Sequence, residues 1–171
     1  MFRKFYPDKW VDSAYEIDYE ELYRRGIRGL LFDIDNTLVP HGADADERAK
    51  ELFGRLKRLG FHICLISNNN EERVRRFNRD IHVNYIHKAN KPSVNGFRKA
   101  MERMHTTEKN TVFIGDQLFT DIYGAKRAGI YSYLVKPIDP KEEIQIILKR
   151  YLEKIVLHYY KKQLKKGSQE L

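Results

Sequence analysis

The sequence has 171 residues, enough for one domain with a sizeable core. Its 42% hydrophobic and 33% charged residues exclude a disordered chain, and no apolar run approaches the roughly 20 residues that span a bilayer. The net charge is +8, but Lys149 to Lys166 holds seven basic residues against the single acid Glu153, so the excess sits at one end and no nucleic-acid partner is expected for the body.

The first residues lack the apolar stretch of a signal peptide, and the lone Cys64 cannot form an internal disulfide. Both point to a cytoplasmic protein with a buried thiol. Residues 1–28 form an arm rich in aromatic side chains (Phe2, Phe5, Tyr6, Trp10, Tyr15) and a short helix from Tyr19 to Arg25, capped by Asp18 and stopped at Gly26. Gly29 to Ile34 is a continuous apolar run, read as a strand buried on both faces.

Asp44 or Asp46 caps a helix that runs to Leu59 and ends at Gly60. Phe61–Ile66 reads as a strand, Glu71–Asn78 as a helix and His82–Ile86 as a short strand. Ser93 caps a helix to Met104. Asn110–Ile114 is a strand, Thr120 caps a helix through Ala128, and Tyr131–Val135 is a fifth strand. A basic amphipathic helix follows Pro140, over 141–166. Strands alternating with helices give an α/β fold: a three-layer Rossmann-like parallel sheet of about five strands with helices on both faces. The chain reads as one domain, with a catalytic core over 29–136 and no room for a cap domain.

Polar groups gather at the strand ends: Asp33, Asp35 and Thr37 after the first strand, Ser67 and Asn68 after the second, Lys91 before a helix, and Asp116 with Asp121 after the fourth. In an open parallel sheet these ends converge on one crevice. Several carboxylates beside a lysine and a hydroxyl suit a hard cation and a phosphate held together, and Mg²⁺ prefers such oxygen ligands. Ser67 also fits a simple helix cap, Lys88 competes with Lys91 as the site lysine, and His41 follows the first strand closely enough to touch a substrate.

Asp-Ile-Asp-Asn-Thr at 33–37, Ser67, Lys91-Pro92 and Gly-Asp-Gln-x-x-x-Asp at 115–121 together resemble the haloacid dehalogenase superfamily, phosphatase branch. The resemblance covers Gly29 to Val135. It implies Asp33 as nucleophile, Asp35 as general acid and base, and Lys91 as a positive charge on the phosphoryl group. It implies Mg²⁺ held by Asp33, the carbonyl of Asp35 and Asp116, phosphate bound by Thr37, Ser67, Asn68 and Lys91, and Asp121 orienting Lys91 or a metal-bound water. Asp35 separates phosphatases from dehalogenases, whose leaving halide needs no proton.

Within the superfamily, Phe-Asp-Ile-Asp-Asn-Thr-Leu-Val-Pro, Ser-Asn-Asn and Lys-Pro are similar to a capless subfamily that includes YqeG-type proteins and phosphatidylglycerophosphate phosphatases. This implies a phosphate monoester substrate, with a lipid phosphate at the inner membrane face as the specific expectation. A phosphatase of soluble nucleotide or sugar phosphates is the alternative, and a non-enzymatic binding module using the basic helix is a third. That helix, with Leu148, Tyr151, Leu152, Ile155 and Tyr159 among lysines, suits a peripheral contact with an anionic bilayer, the edge of the sheet, or a second copy of the chain.

Overall fold

A computed structural model describes residues 2–139 and 144–167, with side chains for all of these except 144–148 and 166–167. The expected start of the last helix at 141, and the side chains of Leu148 and Lys166, lie outside the described residues.

Six parallel strands form one sheet: β1 (Lys9–Val11), β2 (Gly29–Phe32), β3 (His62–Ile66), β4 (Asn84–Ile86), β5 (Thr111–Gly115) and β6 (Tyr131–Val135), in the spatial order β1-β6-β5-β2-β3-β4. Six α-helices accompany them: α1 (Tyr19–Arg24), α2 (Glu47–Leu59), α3 (Glu71–Asn78), α4 (Val94–Met104), α5 (Tyr123–Arg127) and α6 (Ile144–Gly167). The α/β Rossmann-like fold expected from the sequence is the fold observed.

Successive strand side chains point to opposite faces, and this sorts the core into two layers. Leu30, Phe32, Ile63, Leu65, Val112 and Ile114 pack on one side with α1, α2 and α3. Leu31, Cys64, Ile66 and Phe113 pack on the other with α4 and α5. Cys64 is fully enclosed there, and burial pushes its thiol up to about 12, which fits an inert structural residue. A third cluster, Leu118, Ile122, Leu134 and Val156, joins α6 to the sheet and to the aromatic arm.

Local signals set the helix ends. Asp46 accepts the amide of Ala49 at 2.8 Å to start α2, and Gly60, at φ 96°, ends it. Asn70 starts α3 by accepting the amide of Arg73 at 2.9 Å, so Ser67 is not that helix's cap.

Two features differ from the sequence expectation. The arm contributes a sixth strand, β1, which pairs in parallel with β6 through Trp10 and Leu134 and is pinned by Asp8, whose carboxylate accepts the amide (2.8 Å) and hydroxyl (2.9 Å) of Ser132. Three residues are too few to show a period, so this strand has no pattern of its own. Thr120 does not cap a helix. The chain leaves β5 into a π-helical turn, Leu118–Ile122, before α5, and Thr120 donates its hydroxyl to Gln117 within that turn.

The switch in chain direction lies at β2. The connection after β2 leads to β3 on one side, while β5 and β6 build on the other. A crevice opens at such a switch, beyond the carboxyl ends of the strands. Among the described residues, the β2–α2 connection (33–46) and the β3–α3 connection (67–70) hold no further helix to cover it.

Candidate active site

The end of β2 forms the centre. Asp33 still joins the sheet through its amide, which donates to Ile114 O at 3.0 Å. The chain then folds back tightly. Thr37 and Leu38 donate their amides to Ile34 O, and Asn36, in the left-handed region at φ 64°, donates to Val39 O. This turn brings Thr37 under the carboxylate of Asp33. The Thr37 hydroxyl lies 3.3 Å from Asp33 Oδ2 and 3.2 Å from Asp116 Oδ1, so it ties the two carboxylates together. Expected among the phosphate ligands, Thr37 instead sits buried beneath them.

Asp116 and Asp121 arrive from the end of β5. The π-helical turn carries Asp121 back toward the strand, where its Oδ2 accepts the amides of Asp116 and Gln117, each at 3.1 Å. The approach is close enough that a Cβ on Gly115 would lie 2.6 Å from Asp121 Oδ2. A π-turn widens the helix by one residue, a device common at functional sites.

Lys91 completes the cluster. The side chain of Asn68 grips the Lys91 backbone at both ends, accepting its amide at 2.6 Å and donating to its carbonyl at 3.1 Å. Lys91 Nζ reaches Asp33 Oδ1 at 2.6 Å, Asp121 Oδ1 at 2.7 Å and the carbonyl of Ile66 at 3.0 Å. Lys88 is exposed, so geometry selects Lys91 over it.

The electrostatics follow from burial. Removal from water pushes the Asp33 carboxyl up to about 7, with Lys91 pulling against it and Asp121 adding to the rise. Burial drives Asp116 well above the usual carboxylate range, and its neighbours Asp33 and Asp121 push the same way. Burial alone would lower Lys91, but Asp121 and Asp33 more than offset it and keep the ammonium charged. One oxygen from each of Asp33, Asp116 and Asp121 fits within 4.8 Å of the others. Three enclosed carboxylates aimed at one point are costly alone and suit a hard divalent cation. The donor set therefore fits Mg²⁺, with Asp33 and Asp116 as the residues that would hold it.

Asp35 points elsewhere. Its Oδ1 accepts from the Arg73 guanidinium (2.8 Å from Nη2, 3.2 Å from Nε) and from the amide of Gly42 (2.8 Å), while Oδ2 accepts from the Asn69 amide group at 3.3 Å. Burial pushes this carboxyl up, but the Gly42 amide and Arg73 together outweigh it and hold the group below its usual range. Asp33, Asp35, His41, Ser67, Lys91 and Asp121 are among the residues that line an open crevice of about 130 Å³. Ser67 is buried at its edge, its hydroxyl accepting the amide of Asn69 at 3.1 Å. Asn68 also lines the crevice, with its side chain engaged to the Lys91 backbone.

Four residues of the site escape the sequence reading. Arg73 lies on the inward stripe of α3 with Val74 and Phe77, and a charge on a buried stripe is a signal that was there to be read. Asn69 looks like loop filler. Arg150 and Glu153 of α6 reach the site from behind. Arg150 Nη1 donates to the carbonyl of Asp116 at 2.6 Å and pairs with Glu153 at 3.0 Å, and Nη2 contacts Asp116 Oδ2. Glu153, the one acid in a basic run, accepts the amide of Leu118 at 2.9 Å.

Comparison with known proteins agrees with this geometry. The family model for haloacid dehalogenase-like hydrolases matches residues 41–129. The chain is 35% identical over 164 residues to the probable phosphatase YqeG of Bacillus subtilis, covering 95% of each protein. It is 28% identical to phosphatidylglycerophosphate phosphatase 1 of Arabidopsis thaliana, over 94% of this chain but 49% of that one. A solved putative haloacid dehalogenase-like hydrolase from Bacteroides fragilis superposes with a TM-score of 0.56 at 16% identity, over 70% of this chain and 93% of that chain. With two aspartates at the end of the central strand, a buried lysine across from them and an Asp-x-x-x-x-Asp pair on the neighbouring strand, this chain belongs to the haloacid dehalogenase-like hydrolases.

Proposed function

We propose that the protein is a Mg²⁺-dependent phosphatase that works through a phosphorylated Asp33. The observation that carries this reading is the meeting of Asp33, Asp116, Asp121 and Lys91 at one point of the crevice. Asp33 attacks phosphorus and the ester oxygen leaves with a proton from Asp35. A water then attacks the aspartyl phosphate, giving its proton to Asp35, and Asp33 is released. A cation held by Asp33 and Asp116 would supply positive charge to the phosphoryl oxygens. Lys91, locked by Asn68 and Asp121, presents a fixed ammonium to the same oxygens without reorganising. Asp35, ionised against Arg73 in the resting site, takes up a proton from solvent as it leaves Arg73 for the ester oxygen, and the proton it later accepts from water passes back to solvent as it returns to Arg73 as a carboxylate.

The substrate reading rests on openness and on α6. A crevice of about 130 Å³ accommodates the phosphoryl group and leaves the rest of the ester outside. Tyr151, Leu152, Ile155, Tyr159 and Leu164 of α6 are exposed, and so are Lys149, Lys154, Lys161, Lys162 and Lys165. No described helix is long and apolar enough to cross a membrane. An apolar stripe with flanking lysines suits the surface of an anionic bilayer, whereas a second copy docked there would set lysines against lysines. We therefore propose a lipid phosphate monoester, of the class named in the Arabidopsis relative, as substrate.

The test is a panel of aryl, nucleotide, sugar and lipid phosphates assayed with Mg²⁺, with chelator and with Asp33→Asn. Hydrolysis abolished by both chelation and Asp33→Asn is expected, and an inert protein across the panel refutes the enzyme reading. Faster turnover of a soluble ester than of phosphatidylglycerophosphate in vesicles would refute the lipid assignment alone.

A further inference from the structure

α6 follows the catalytic core in the sequence and would pass for an appendage, yet it supplies one of the closest partners of a cation-binding carboxylate. The carboxylate of Asp116 is fully enclosed. Its Oδ1 faces the hydroxyl of Thr37, on the side of Asp33. Its Oδ2 and its own backbone carbonyl are both taken by the guanidinium of Arg150. That grip holds one oxygen of the carboxylate and leaves Oδ1 on the side of Thr37 and Asp33. Arg150 is itself braced. Glu153, one turn on, accepts from Arg150 with one oxygen and from the amide of Leu118 with the other, so the brace runs from α6 into the π-helical turn that positions Asp121. Val156 and Leu134 seal the contact with buried apolar surface.

We propose that Arg150 is a positioning residue of the cation site, holding Asp116 for metal binding, and that docking of α6 and binding of the cation are therefore mutually reinforcing. The inference rests on the role of Asp116 as a ligand proposed above.

Two effects oppose each other. A guanidinium repels a nearby cation, and by charge alone its removal would tighten binding. Without Arg150, however, an enclosed carboxylate loses the donor of one oxygen and is free to turn away from the site. Outer partners that orient a ligand typically change metal affinity by about ten- to a hundredfold. The fork also spans two acceptors of the same residue, which a point charge cannot do. Orientation outweighs repulsion on these grounds.

The experiment is calorimetric titration of the intact, metal-free protein with Mg²⁺ or Mn²⁺ alone, for the unaltered chain, Arg150→Met, Arg150→Lys and Glu153→Gln. Circular dichroism confirms that each variant is folded. Arg150→Met is expected to weaken binding by about tenfold or more. Arg150→Lys and Glu153→Gln should fall between it and the unaltered protein. By reciprocity, Mg²⁺ should slow amide exchange in residues 149–165 of the unaltered chain and have less effect in Arg150→Met. Equal or tighter binding by a folded Arg150→Met, or exchange in α6 that is indifferent to the cation, overturns the inference. Failure of the unaltered protein to bind either cation overturns the reading of the site itself, and the inference with it.

Discussion

Asp33 and Lys91 depend on one another. The ammonium neutralises a largely buried carboxylate pair, Asp33 and Asp121, and they in turn keep it charged. Removing one member of a buried ion pair leaves its partners uncompensated, at a cost of about 3–5 kcal/mol. Lys91→Met should therefore destabilise the metal-free protein by about that amount in urea unfolding, and divalent cation should recover part of it, because the cation replaces the lost charge. The second residue-level expectation concerns pH. Burial raises Asp33 to about 7, and a cation needs it ionised, so protons and cation compete for the same oxygens. The sign is fixed: affinity falls as pH drops through about 7, with Asp116, also raised by burial, adding to the fall, and calorimetry between about pH 5.5 and 8.5 shows this or refutes it. Asp33, Asp116 and Lys91 were legible in the sequence because charges after buried strands have no structural excuse. Arg73 left only the indirect signal of a charge on a buried stripe, and Asn69 left none, because both hold Asp35 and a loop asparagine has many ordinary uses.

At the scale of elements, the site is a product of how two strands end. β2 closes with a left-handed Asn36 and a fold-back that stacks Thr37 beneath Asp33. β5 closes with a π-helical turn that presses Asp121 against the strand it has just left. Gly115 permits that approach. Gly115→Ala should destabilise the protein by about 1–3 kcal/mol, as overpacking does, and weaken cation binding beyond what a remote substitution of equal stability cost would do. Thermal melts and cation titration of the same samples check both. The helix caps at Asp46, Ser93 and Gly60 were readable because capping is a local matter of one side chain or one backbone angle. The π-turn was not, since Leu-Phe-Thr-Asp-Ile has the residues of an ordinary first helical turn and its extra width is imposed by Asp121 reaching backward.

At the scale of the molecule, the parallel sheet gathers side chains from residues 33 to 150 onto one rim. A ligand that binds only the folded rim stabilises the whole. At a hundredfold excess over its dissociation constant this is about 2.7 kcal/mol, or about 5–10 °C in melting temperature for a chain of this size. Mg²⁺ should give such a shift in the unaltered protein and little in Asp116→Asn; equal shifts in both would remove Asp116 from the site. The α/β layering and the strands β2 to β6 followed from short apolar runs alternating with segments of helical period. The edge strand β1 and the inward grip of α6 did not, because both are contacts made between distant parts of the chain, and no local pattern announces them.

β1 has a consequence for the order of assembly. Phe2, Phe5, Tyr6 and Trp10 pack against Phe119, Tyr123, Val156, Tyr159 and Tyr160, and the strand itself waits for β6. The arm, made before the strand and helix that receive it, is thus among the last parts to find its place. A ribosome must extend the chain by more than 120 residues before the arm has a strand to join, and by about 150 before its aromatic rings are covered. Until then the arm travels as a sticky, unplaced segment, and its final closure seals the first residues of the chain against the last described helix.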